Sequence, residues 1–483
     1  MIVIKNYIGG QLQPPCQGQY FDSINPATAL AIAQVPDSDG EDVELAVKAA
    51  ESAFQKWSIT PAEERMAIML RWADTIETRL EAFAQAESMD NGKPISVSRS
   101  VDIPRSIQNI RFFASACLHV AQEAHFNEGH SAVNYTMRRP VGVVGCISPW
   151  NLPLYLFTWK IAPAIAAGCC VIGKPSEVTP LTSFLLAETA IEAGIPAGVL
   201  NIIHGTGPKV GAAIVKHPKI KAISFTGSTR AGEEIAKVAA PMFKKLSLEL
   251  GGKNPTAIFD DCDFEHTVSE VARAAFSNQG QICLCASRIY IQKSLYAKFL
   301  AAFIEEVKKL VPGNPQLPET RIGAIVSELH YNKVLGCIEL AKQEGGTVLL
   351  GGKSVKLAAP LDKGYYIEPT IIEGLSNRCR TNQEEIFGPV VSVQPFEDEA
   401  DFIRLANESQ YGLATSVWTN DISRGHRVAE RLECGIVWIN CWMLRDLRTP
   451  FGGVKNSGVG REGGWEAMRF FTEPKNVCIK YTK

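Results

Sequence analysis

Four short apolar runs alternate with four segments of helical periodicity between residues 141 and 230. The apolar runs, which read as strands, cover residues 141–147, 169–173, 200–203 and 222–225. The helical segments cover residues 154–167, 181–193 and 209–216, and the last begins near Ser228. Such alternation predicts a parallel, doubly wound α/β sheet that binds its ligand at the carboxyl ends of its strands.

The rest of the chain is too long to share one core with this sheet. At 483 residues, two or three domains are expected. Residues before about 115 read as helical, with apolar residues at three- and four-residue spacing in segments 42–57 and 61–86. A second α/β region is predicted from about residue 252 to 442. Because of the chain's size, separate domains are a better interpretation than one large α/β domain.

The charge balance gives no reason to expect nucleic acid or membrane as a partner. The net charge is −2, so bulk electrostatics attract the chain to neither. Residues 141–159 form an uncharged stretch that is long enough for a membrane helix. Pro149, Asn151 and Pro153 interrupt this stretch, so a buried strand, a tight turn and a buried helix explain it better.

The cysteines indicate free thiols rather than a disulfide framework. All 13 are scattered without regular spacing, and no C-x-x-C pair occurs. We therefore expect neither a thioredoxin-like site nor a zinc ribbon, and no metal. Many free thiols are typical of a reducing compartment. Residues 1–5 lack the features of a signal peptide, so the expected location is the cytoplasm.

Cys283 and Glu249 are the candidate catalytic groups. The cysteine follows the run Asn-Gln-Gly-Gln-Ile, and the glutamate lies 34 residues earlier in an apolar stretch. A thiolate is a nucleophile, and a carboxylate among apolar neighbours holds its proton longer, which suits a general base near pH 7. Taken alone, each residue fits a structural role better, as a buried thiol and a capped surface glutamate, because most cysteines are packing residues. Cys285 is the rival nucleophile.

Seven motifs, in order along the chain, carry a resemblance to a known family. They are Pro149-Trp150-Asn151, Lys174-Pro175-Ser176-Glu177, Phe225-Thr226-Gly227-Ser228, Leu248-Glu249-Leu250-Gly251-Gly252-Lys253, the Cys283 motif, Glu384-Glu385-Ile386-Phe387-Gly388-Pro389 and Pro450-Phe451-Gly452-Gly453. Each motif alone is weak evidence, but the ordered set is very specific. The chain resembles the aldehyde dehydrogenase superfamily. The resemblance implies an α/β fold with a doubly wound NAD-binding domain, an α/β catalytic domain and a small β element for oligomerisation.

The resemblance also implies a covalent oxidation of an aldehyde to an acid, with NAD as the cofactor. Cys283 would add to the aldehyde carbon, and the Asn151 amide and the Cys283 main-chain N–H would bind the oxyanion. After hydride transfer, Glu249 would activate the water that hydrolyses the thioester. Because this base is present, water is a better acyl acceptor than coenzyme A. A thiol hydrolase and a non-catalytic binding protein are further alternatives, and Asn151 alone also fits a plain turn residue.

Two glycine-rich turns are candidates for binding the dinucleotide. The glycines are Gly205, Gly207 and Gly211 in the first turn, and Gly227 and Gly232 in the second. The first turn reads G-x-G-x-x-x-G, which on its own fits a helix-entry turn equally well. The second adds Ser228 as a hydroxyl donor and N-cap. The resemblance assigns the pyrophosphate to the second turn and the adenosine to the first.

By the same resemblance, other residues hold the riboses and the nicotinamide. Lys174 and Glu177 would face the adenosine ribose, where a carboxylate repels a 2′-phosphate and so favours NAD over NADP. Glu385 and Phe387, with Trp150, would lie on the nicotinamide side. On local grounds alone, Lys174 and Glu177 also fit a surface ion pair, and Glu385 fits a solvated loop charge.

Arg105 and Arg445 are the candidate substrate-binding residues. Arg445 lies between a pair of tryptophans and the last motif, and guanidinium groups bind carboxylates bidentately. Both segments resemble one branch of the family, the 2-aminomuconic and 2-hydroxymuconic semialdehyde dehydrogenases. Within it, the chain most resembles the aminomuconic enzymes of tryptophan or 2-aminophenol breakdown. In that branch the matching arginine pair grips the substrate carboxylate, so an acidic semialdehyde is the expected substrate.

Several alternatives to this arginine pair stay open. Both side chains fit solvated arginines, with Arg445 paired to Asp446 or to another acid, and Arg448 is a possible substitute for Arg445. The alternative function is oxidation of retinal or of a broad range of aliphatic and aromatic aldehydes, none of which needs a cation in the pocket.

Two β-like stretches are expected to build a homodimer or homotetramer. Residues 133–137 lie within the segment 118–140, and residues 470–481 lie within the segment 466–483. Unpaired strands at a sheet edge pair with another chain, although a hairpin within one subunit is the alternative. The expected domains are 1–117 with 141–251 for NAD binding, 252–445 for catalysis, and these two segments for oligomerisation.

Overall fold

Two large sheets organise the chain. The computed structural model describes residues 1–482, and the sheets contain eight and seven strands. Among these residues, no helix is both long and apolar enough to cross a bilayer. The uncharged stretch 141–159 folds as the strand Val143–Ile147, a turn and the start of the helix Pro153–Ala166, as the interruptions predict.

The eight-stranded sheet has a parallel centre and antiparallel edges. Its strands in spatial order are Gly458–Val459, Lys245–Glu249, Ile220–Thr226, Val143–Ile147, Cys170–Lys174, Leu200–Ile202, Asn6–Ile8 and Gln11–Gln13. The middle five are parallel. From Val143–Ile147 the chain winds first towards one edge and later towards the other. The predicted doubly wound sheet is confirmed, and its ligand crevice lies at the carboxyl end of Val143–Ile147.

The seven-stranded sheet lies within the second predicted α/β region. Its strands in spatial order are Thr347–Leu350, Thr370–Glu373, Val390–Phe396, Arg288–Gln292, Pro255–Ile258, Ala414–Trp418 and Ile436–Ile439. Only Thr347–Leu350 runs antiparallel to its neighbour. Cys283 lies in the loop between the helix Phe264–Phe276 and the strand Arg288–Gln292. The nucleophile candidate therefore comes from a different sheet than the glycine turns.

Helices pack around both sheets. The α-helices are Gly40–Trp57, Ala62–Thr78, Leu80–Asn91, Ile95–Val97, Ile103–Ala116, Pro153–Ala166, Leu181–Glu192, Ala212–Lys216, Thr229–Ala239, Phe264–Phe276, Tyr296–Val307, Glu328–Gln343, Arg380–Gln383, Glu399–Asn407, Ile422–Arg431 and Gly464–Phe470. The 3₁₀ turns are Cys117–His119, Glu128–His130, Ala240–Met242 and Ser277–Gly280, and the π turns are Ser98–Asp102 and Gly207–Gly211. Two small sheets pair Ser354–Val355 with Tyr366–Ile367, and Tyr411–Gly412 with Val454–Lys455.

The amino-terminal region is not wholly helical, so that prediction was wrong. It also contains the strands Ile2–Val3, Asn6–Ile8, Gln11–Gln13, Tyr20–Asn25 and Leu30–Pro36. Asn6–Ile8 pairs with the distant strand Leu200–Ile202, and pairing of that kind leaves little trace in local periodicity.

Two predicted helices differ in their bounds. The segment 61–86 forms two helices, because Arg79 leaves helical geometry between them with φ −106° and ψ 16°. The segment 209–216 begins as the π turn Gly207–Gly211, and its α-helix covers only Ala212–Lys216. Apolar periodicity continues across both irregularities and therefore does not reveal them.

A three-stranded sheet, here called the arm, joins the two predicted oligomerisation segments. Its strands are Ala124–Asn127, Ala132–Pro140 and Thr472–Lys480. The last two pair antiparallel, from Thr472 opposite Pro140 to Lys480 opposite Ala132. The alternative of pairing within one subunit is therefore realised. Thr472–Lys480 is still an edge strand of this sheet and is mostly exposed, so its outer side offers hydrogen-bonding groups to a second chain.

A buried ion cluster connects two helices beside the crevice. Lys93 Nζ lies 2.5 Å from Asp102 Oδ2 and 3.4 Å from Glu87 Oε1, and all three side chains are at most 1% exposed. The other Glu87 oxygen accepts a hydrogen bond from the Leu154 main-chain N–H at 3.4 Å. Asp102 and Leu154 lie at the starts of two neighbouring helices, so the cluster fixes how these helices meet.

Replacing Lys93 with methionine is expected to destabilise the fold by about 3–5 kcal/mol, because two buried carboxyl groups lose their cation. Urea unfolding measures this change. Lys48→Met is the control, since Lys48 and Glu44 form an exposed pair whose loss costs about 1 kcal/mol or less. Equal stabilities of the two variants would contradict a structural role for the cluster.

Candidate active site

The loop before Cys283 begins with three consecutive residues in the left-handed region. Asn278, Gln279 and Gly280 have φ of 51°, 57° and 68°. A Cβ on Gly280 would lie 2.1 Å from the Gly388 carbonyl oxygen, so glycine is required there. The Asn278 amide donates to the Asn151 carbonyl oxygen at 3.0 Å. The polar run before the cysteine therefore shapes the loop and ties it to the Asn151 turn.

Asn151 and Cys283 line the same cavity, which has a volume of about 220 Å³. Asn151 is 3% exposed, and its Nδ2 donates to the Gln281 carbonyl oxygen at 3.0 Å. An amide nitrogen carries two N–H groups. One of them fixes the side chain to the nucleophile loop, which leaves the other for an oxygen bound in the cavity.

The surroundings of the Cys283 thiol favour its protonated form. Burial raises the pKa of the thiol, and the carboxylates of Glu385 and Glu249 raise it further, whereas Arg445 acts in the opposite direction. Glu385 is held beside the thiol by the Gly252 main-chain N–H, which donates to it at 2.8 Å. The nucleophilic thiolate therefore needs either a base or an added positive charge nearby.

Glu249 has the setting of a general base that works near neutral pH. It ends the strand Lys245–Glu249, is 4% exposed, and its Oε1 makes no hydrogen bond within residues 1–482. Burial raises the pKa of this carboxyl well above its usual range, and the nearby Glu462 raises it further. A Cβ on Gly452 would lie 2.7 Å from Oε1, so the glycine leaves room for the carboxyl.

A second buried ion pair, between Lys160 and Glu462, influences the pKa of the Glu249 carboxyl. Neither of its residues was identified from the sequence. Lys160 Nζ lies 2.6 Å from Glu462 Oε1, and Ser224 Oγ donates to the same oxygen at 3.1 Å. Lys160 is a cation within an otherwise apolar buried helix, which is a detectable signal. Glu462 lies between an arginine and two glycines and gives no comparable signal.

The second glycine turn forms a cradle at the end of the strand Ile220–Thr226. Ser228 caps the helix Thr229–Ala239, and its Oγ accepts from the Ala231 N–H. A Cβ on Gly227 would lie 2.4 Å from the Phe225 ring, and one on Gly232 would lie 2.6 Å from Leu250. Gly227 and Ser228 line the 220 Å³ cavity. A helix N-terminus with closely packed glycines fits a pyrophosphate.

The first glycine turn lies beside Lys174 and Glu177. Lys174 Nζ and Glu177 Oε2 are 2.6 Å apart, and the Gly207 N–H donates to Glu177 at 3.4 Å. Burial raises the pKa of Glu177, but Lys174 outweighs this effect and the net pKa is lowered. The carboxylate is thus charged at neutral pH and has oxygens that can accept hydrogen bonds from hydroxyl groups.

Of the other two glycines in the first turn, Gly205 packs closely against its neighbours and Gly211 makes an ordinary contact. A Cβ on Gly205 would lie 2.6 Å from Val210, and one on Gly211 would lie 4.0 Å from Lys174. The turn therefore forms one unit with the Lys174–Glu177 pair.

Aromatic side chains line the opposite side of the 220 Å³ cavity. The ring centroids of Trp150 and Phe387 are 5.2 Å apart, and His330 lies 5.0 Å from Trp150. The His330 ring nitrogen contacts the Phe387 carbonyl oxygen at 2.6 Å, and burial lowers the pKa of this histidine to about 4. His330 and Lys333 line the cavity and were not identified from the sequence.

Arg105 and Arg445 meet around two aromatic rings. Their Cζ atoms lie 5.6 and 5.9 Å from the Tyr155 ring centroid, and 6.0 and 5.2 Å from that of Trp159. Burial lowers the pKa of Arg105, and the charge of Arg445 acts in the same direction. The structure therefore brings the two predicted arginines together.

Asp446 does not pair with Arg445, so that alternative was wrong. It binds Arg448 instead, with Oδ2 2.6 Å from Arg448 Nη2, and the Arg448 side chain is 80% exposed. Arg448 is thereby held at the surface by its neighbour, which removes it as a substitute for Arg445.

The alkylation rate of Cys283 tests the electrostatics of the site. Glu385→Gln removes the carboxylate that raises the thiol pKa most after burial, so alkylation by iodoacetamide should become faster near neutral pH and its pH midpoint should fall. Peptide mass spectrometry separates Cys283 from the other thiols. Glu384→Gln is the control, because Glu384 pairs with Arg380 at the surface. Equal midpoints in both variants would contradict the assignment.

The chain is similar to known proteins over almost its whole length. The profile of the aldehyde dehydrogenase family matches residues 13–477. A 2-aminomuconic semialdehyde dehydrogenase of Danio rerio is 50% identical, with 99% of each chain covered. A 2-hydroxymuconic semialdehyde dehydrogenase of Pseudomonas sp. (strain CF600) is 45% identical, again with 99% of each chain covered.

Solved structures show the same fold. The NAD⁺ complex of an aldehyde dehydrogenase from Bacillus cereus superposes with a TM-score of 0.96 at 40% identity, covering 99% of this chain and 97% of that one. Sequence identity and fold similarity thus agree over the full length. The chain belongs to the aldehyde dehydrogenase family.

Proposed function

We propose that this chain is an NAD-dependent dehydrogenase that oxidises 2-aminomuconic 6-semialdehyde to the dicarboxylic acid and also accepts 2-hydroxymuconic semialdehyde. The relatives from Danio rerio and Pseudomonas bear these substrates in their names. The observation that carries the proposal is the pair formed by Arg105 and Arg445. Two cations held close together in a partly buried site favour an anionic ligand, because each partly desolvated charge gains from a negative partner.

The hydrogen bonding of this pair supports an anionic ligand. Arg105 Nε and Nη2 are buried and make no hydrogen bond within residues 1–482. Guanidinium groups only donate hydrogen bonds, so each of these N–H groups requires an acceptor. A substrate carboxylate supplies two oxygens in the geometry that a guanidinium binds best. Arg445 also stacks on Phe451, with Cζ 4.0 Å from the ring centroid, which orients its plane.

The chemistry proposed for the thiol is acyl formation on Cys283. The sulfur adds to the aldehyde carbon to give a thiohemiacetal, and the second N–H of Asn151 with the Cys283 main-chain N–H binds the oxyanion. NAD⁺, when bound, would supply the acceptor for the hydride that leaves the thiohemiacetal. Glu249 then takes a proton from a water that attacks the resulting thioester, which frees the acid and the thiol.

The dinucleotide is proposed to lie along the crevice of the eight-stranded sheet. Its pyrophosphate would be held by Gly227 and Ser228 at the start of the helix Thr229–Ala239. Lys174 and Glu177 would hold the adenosine ribose, and the charge of Glu177 disfavours a 2′-phosphate. On the other side, the proposed contacts of the nicotinamide and its ribose are Trp150, Glu385 and Phe387.

A second candidate function is oxidation of a larger uncharged aldehyde such as retinal. A cavity of about 540 Å³ on the other side of the nucleophile loop favours it. Leu152, Phe276, Ile282 and Met443 are among its lining residues. Such a substrate would give the arginine pair no carboxylate ligand, so the acidic semialdehyde is the better proposal.

Glu249 favours water over coenzyme A as the acyl acceptor, because the hydrolytic step needs a base.

The assembly and location are proposed on separate grounds. The exposed outer side of Thr472–Lys480 supports a homodimer or homotetramer that forms through the arm. All 13 cysteines are free thiols, which supports a reducing compartment such as the cytoplasm.

The proposed domains are those expected from the sequence, with one addition: Gly458–Val459 returns the chain to the eight-stranded sheet.

Arg445→Gln is expected to lower kcat/KM for 2-hydroxymuconic semialdehyde on the order of 100-fold, because the carboxylate loses a charged, bidentate donor. NADH formation measures this, and turnover of the uncharged 2,4-hexadienal should be nearly unchanged. Arg105→Gln should behave in the same way. The surface variant Arg448→Gln is the control. Similar losses on the charged and uncharged aldehydes would contradict the proposed role of the pair.

Asn151→Ala is expected to lower kcat by about 10²–10³, because the oxyanion loses one preorganised donor. Steady-state NADH formation is the measurement, with an acidic and an uncharged aldehyde, and both should be affected alike. Asn456→Ala, at an exposed position, is the control. A loss of less than about tenfold would remove Asn151 from the oxyanion site.

A further inference from the structure

Tyr155 lies between the two arginines and was not assigned a role above. It belongs to the first turn of the helix Pro153–Ala166 and is 3% exposed. Arg445 Nη1 donates to its hydroxyl oxygen at 2.7 Å. The Arg105 guanidinium lies over its ring, with Cζ 5.6 Å from the centroid. The phenol is therefore the polar group that both cations approach.

The hydrogen-bond roles of these three side chains determine where the phenolic proton points. A guanidinium has five N–H donors and no acceptor, whereas a phenol has one donor and accepts through its oxygen. Tyr155 must accept the bond from Arg445, and its own hydrogen cannot go to either arginine. The phenolic hydrogen therefore points to a third group, other than the two arginines, and that group must be a hydrogen-bond acceptor.

The position of Tyr155 places this donor on the substrate side of the arginine pair. Tyr155 lines the 540 Å³ cavity together with Asn278 and Ile282, which belong to the loop that carries Cys283. Its main chain is held in place, because Asn109 Nδ2 donates to the Tyr155 carbonyl oxygen at 3.1 Å. The Arg105 guanidinium, whose Nε and Nη2 make no hydrogen bond within residues 1–482, lies over the ring of this same residue.

We propose that Tyr155 is a specificity-determining residue that donates its phenolic hydrogen to the substrate carboxylate held by Arg105 and Arg445. The proposal deepens the proposed function and rests on it. One carboxylate oxygen would accept from Tyr155 and Arg445, and the other from Arg105. Uncharged aldehydes gain nothing from this arrangement and leave three donors without an acceptor, which costs them binding free energy.

Tyr155→Phe tests the hydroxyl while it keeps the ring that packs against both guanidinium groups. We expect kcat/KM for 2-hydroxymuconic semialdehyde to fall about 10- to 100-fold, mainly through KM, because a hydrogen bond to a charged group is lost. For 2,4-hexadienal, which has the same number of carbons and no carboxylate, kcat/KM should change less than about threefold. Tyr135→Phe, in the arm, is the matched control.

The double variant Tyr155→Phe/Arg445→Gln separates this inference from the proposed function. If hydroxyl and guanidinium bind one carboxylate, the second substitution should cost far less in the double variant than alone. Thermal unfolding and quenching of tryptophan fluorescence by NAD⁺ report whether each variant is folded and binds cofactor.

Two results would overturn the role of Tyr155. Equal losses on the charged and the uncharged aldehyde would mean that the hydroxyl only supports packing. A strong loss in Arg445→Gln with none in Tyr155→Phe would mean that the carboxylate is held by the arginines alone. Full activity of both arginine variants towards the acidic semialdehyde would instead overturn the proposed function, independently of the tyrosine comparison.

Discussion

The strand order of the eight-stranded sheet is the constraint on which the site depends. Val143–Ile147 lies in the middle of the sheet, and the chain winds outward from it in both directions. The loops at the carboxyl ends of this strand and of Ile220–Thr226 therefore diverge and leave a crevice. Asn151 follows the first strand and Ser228 follows the second, while the second sheet supplies Cys283 from the facing side. A ligand in the crevice would contact groups from three separate parts of the chain.

Charge is divided across this site. Carboxylates surround the thiol, where Glu385 and Glu249 raise its pKa, and cations surround Tyr155 a short distance away. Arg445 connects the two regions, since its charge partly opposes the rise in pKa that burial causes at both Cys283 and Glu249.

The polar contacts that hold the site together join residues far apart in sequence. Lys93 pairs with Asp102 below the helix that carries Arg105, and Lys160 pairs with Glu462 near Glu249. The Trp442 indole N–H donates to the Leu284 carbonyl oxygen at 2.8 Å, which ties the Arg445 loop to the nucleophile loop. Such buried bonds keep the distances within the site constant, because each buried polar group has few alternative partners.

The sequence alone determined the doubly wound sheet, because strand and helix periods are local properties. It also named Cys283, Glu249 and the glycine turns as candidate site residues, because ordered motifs are read directly from the chain. It missed the strands before residue 36 and the break at Arg79, where pairing partners are remote or periodicity continues across a kink. Only the tertiary structure decided that Arg105 and Arg445 meet at Tyr155 and that Lys160 pairs with Glu462. These contacts span up to several hundred residues of sequence, and their distances depend on how the helices and sheets pack rather than on any local pattern.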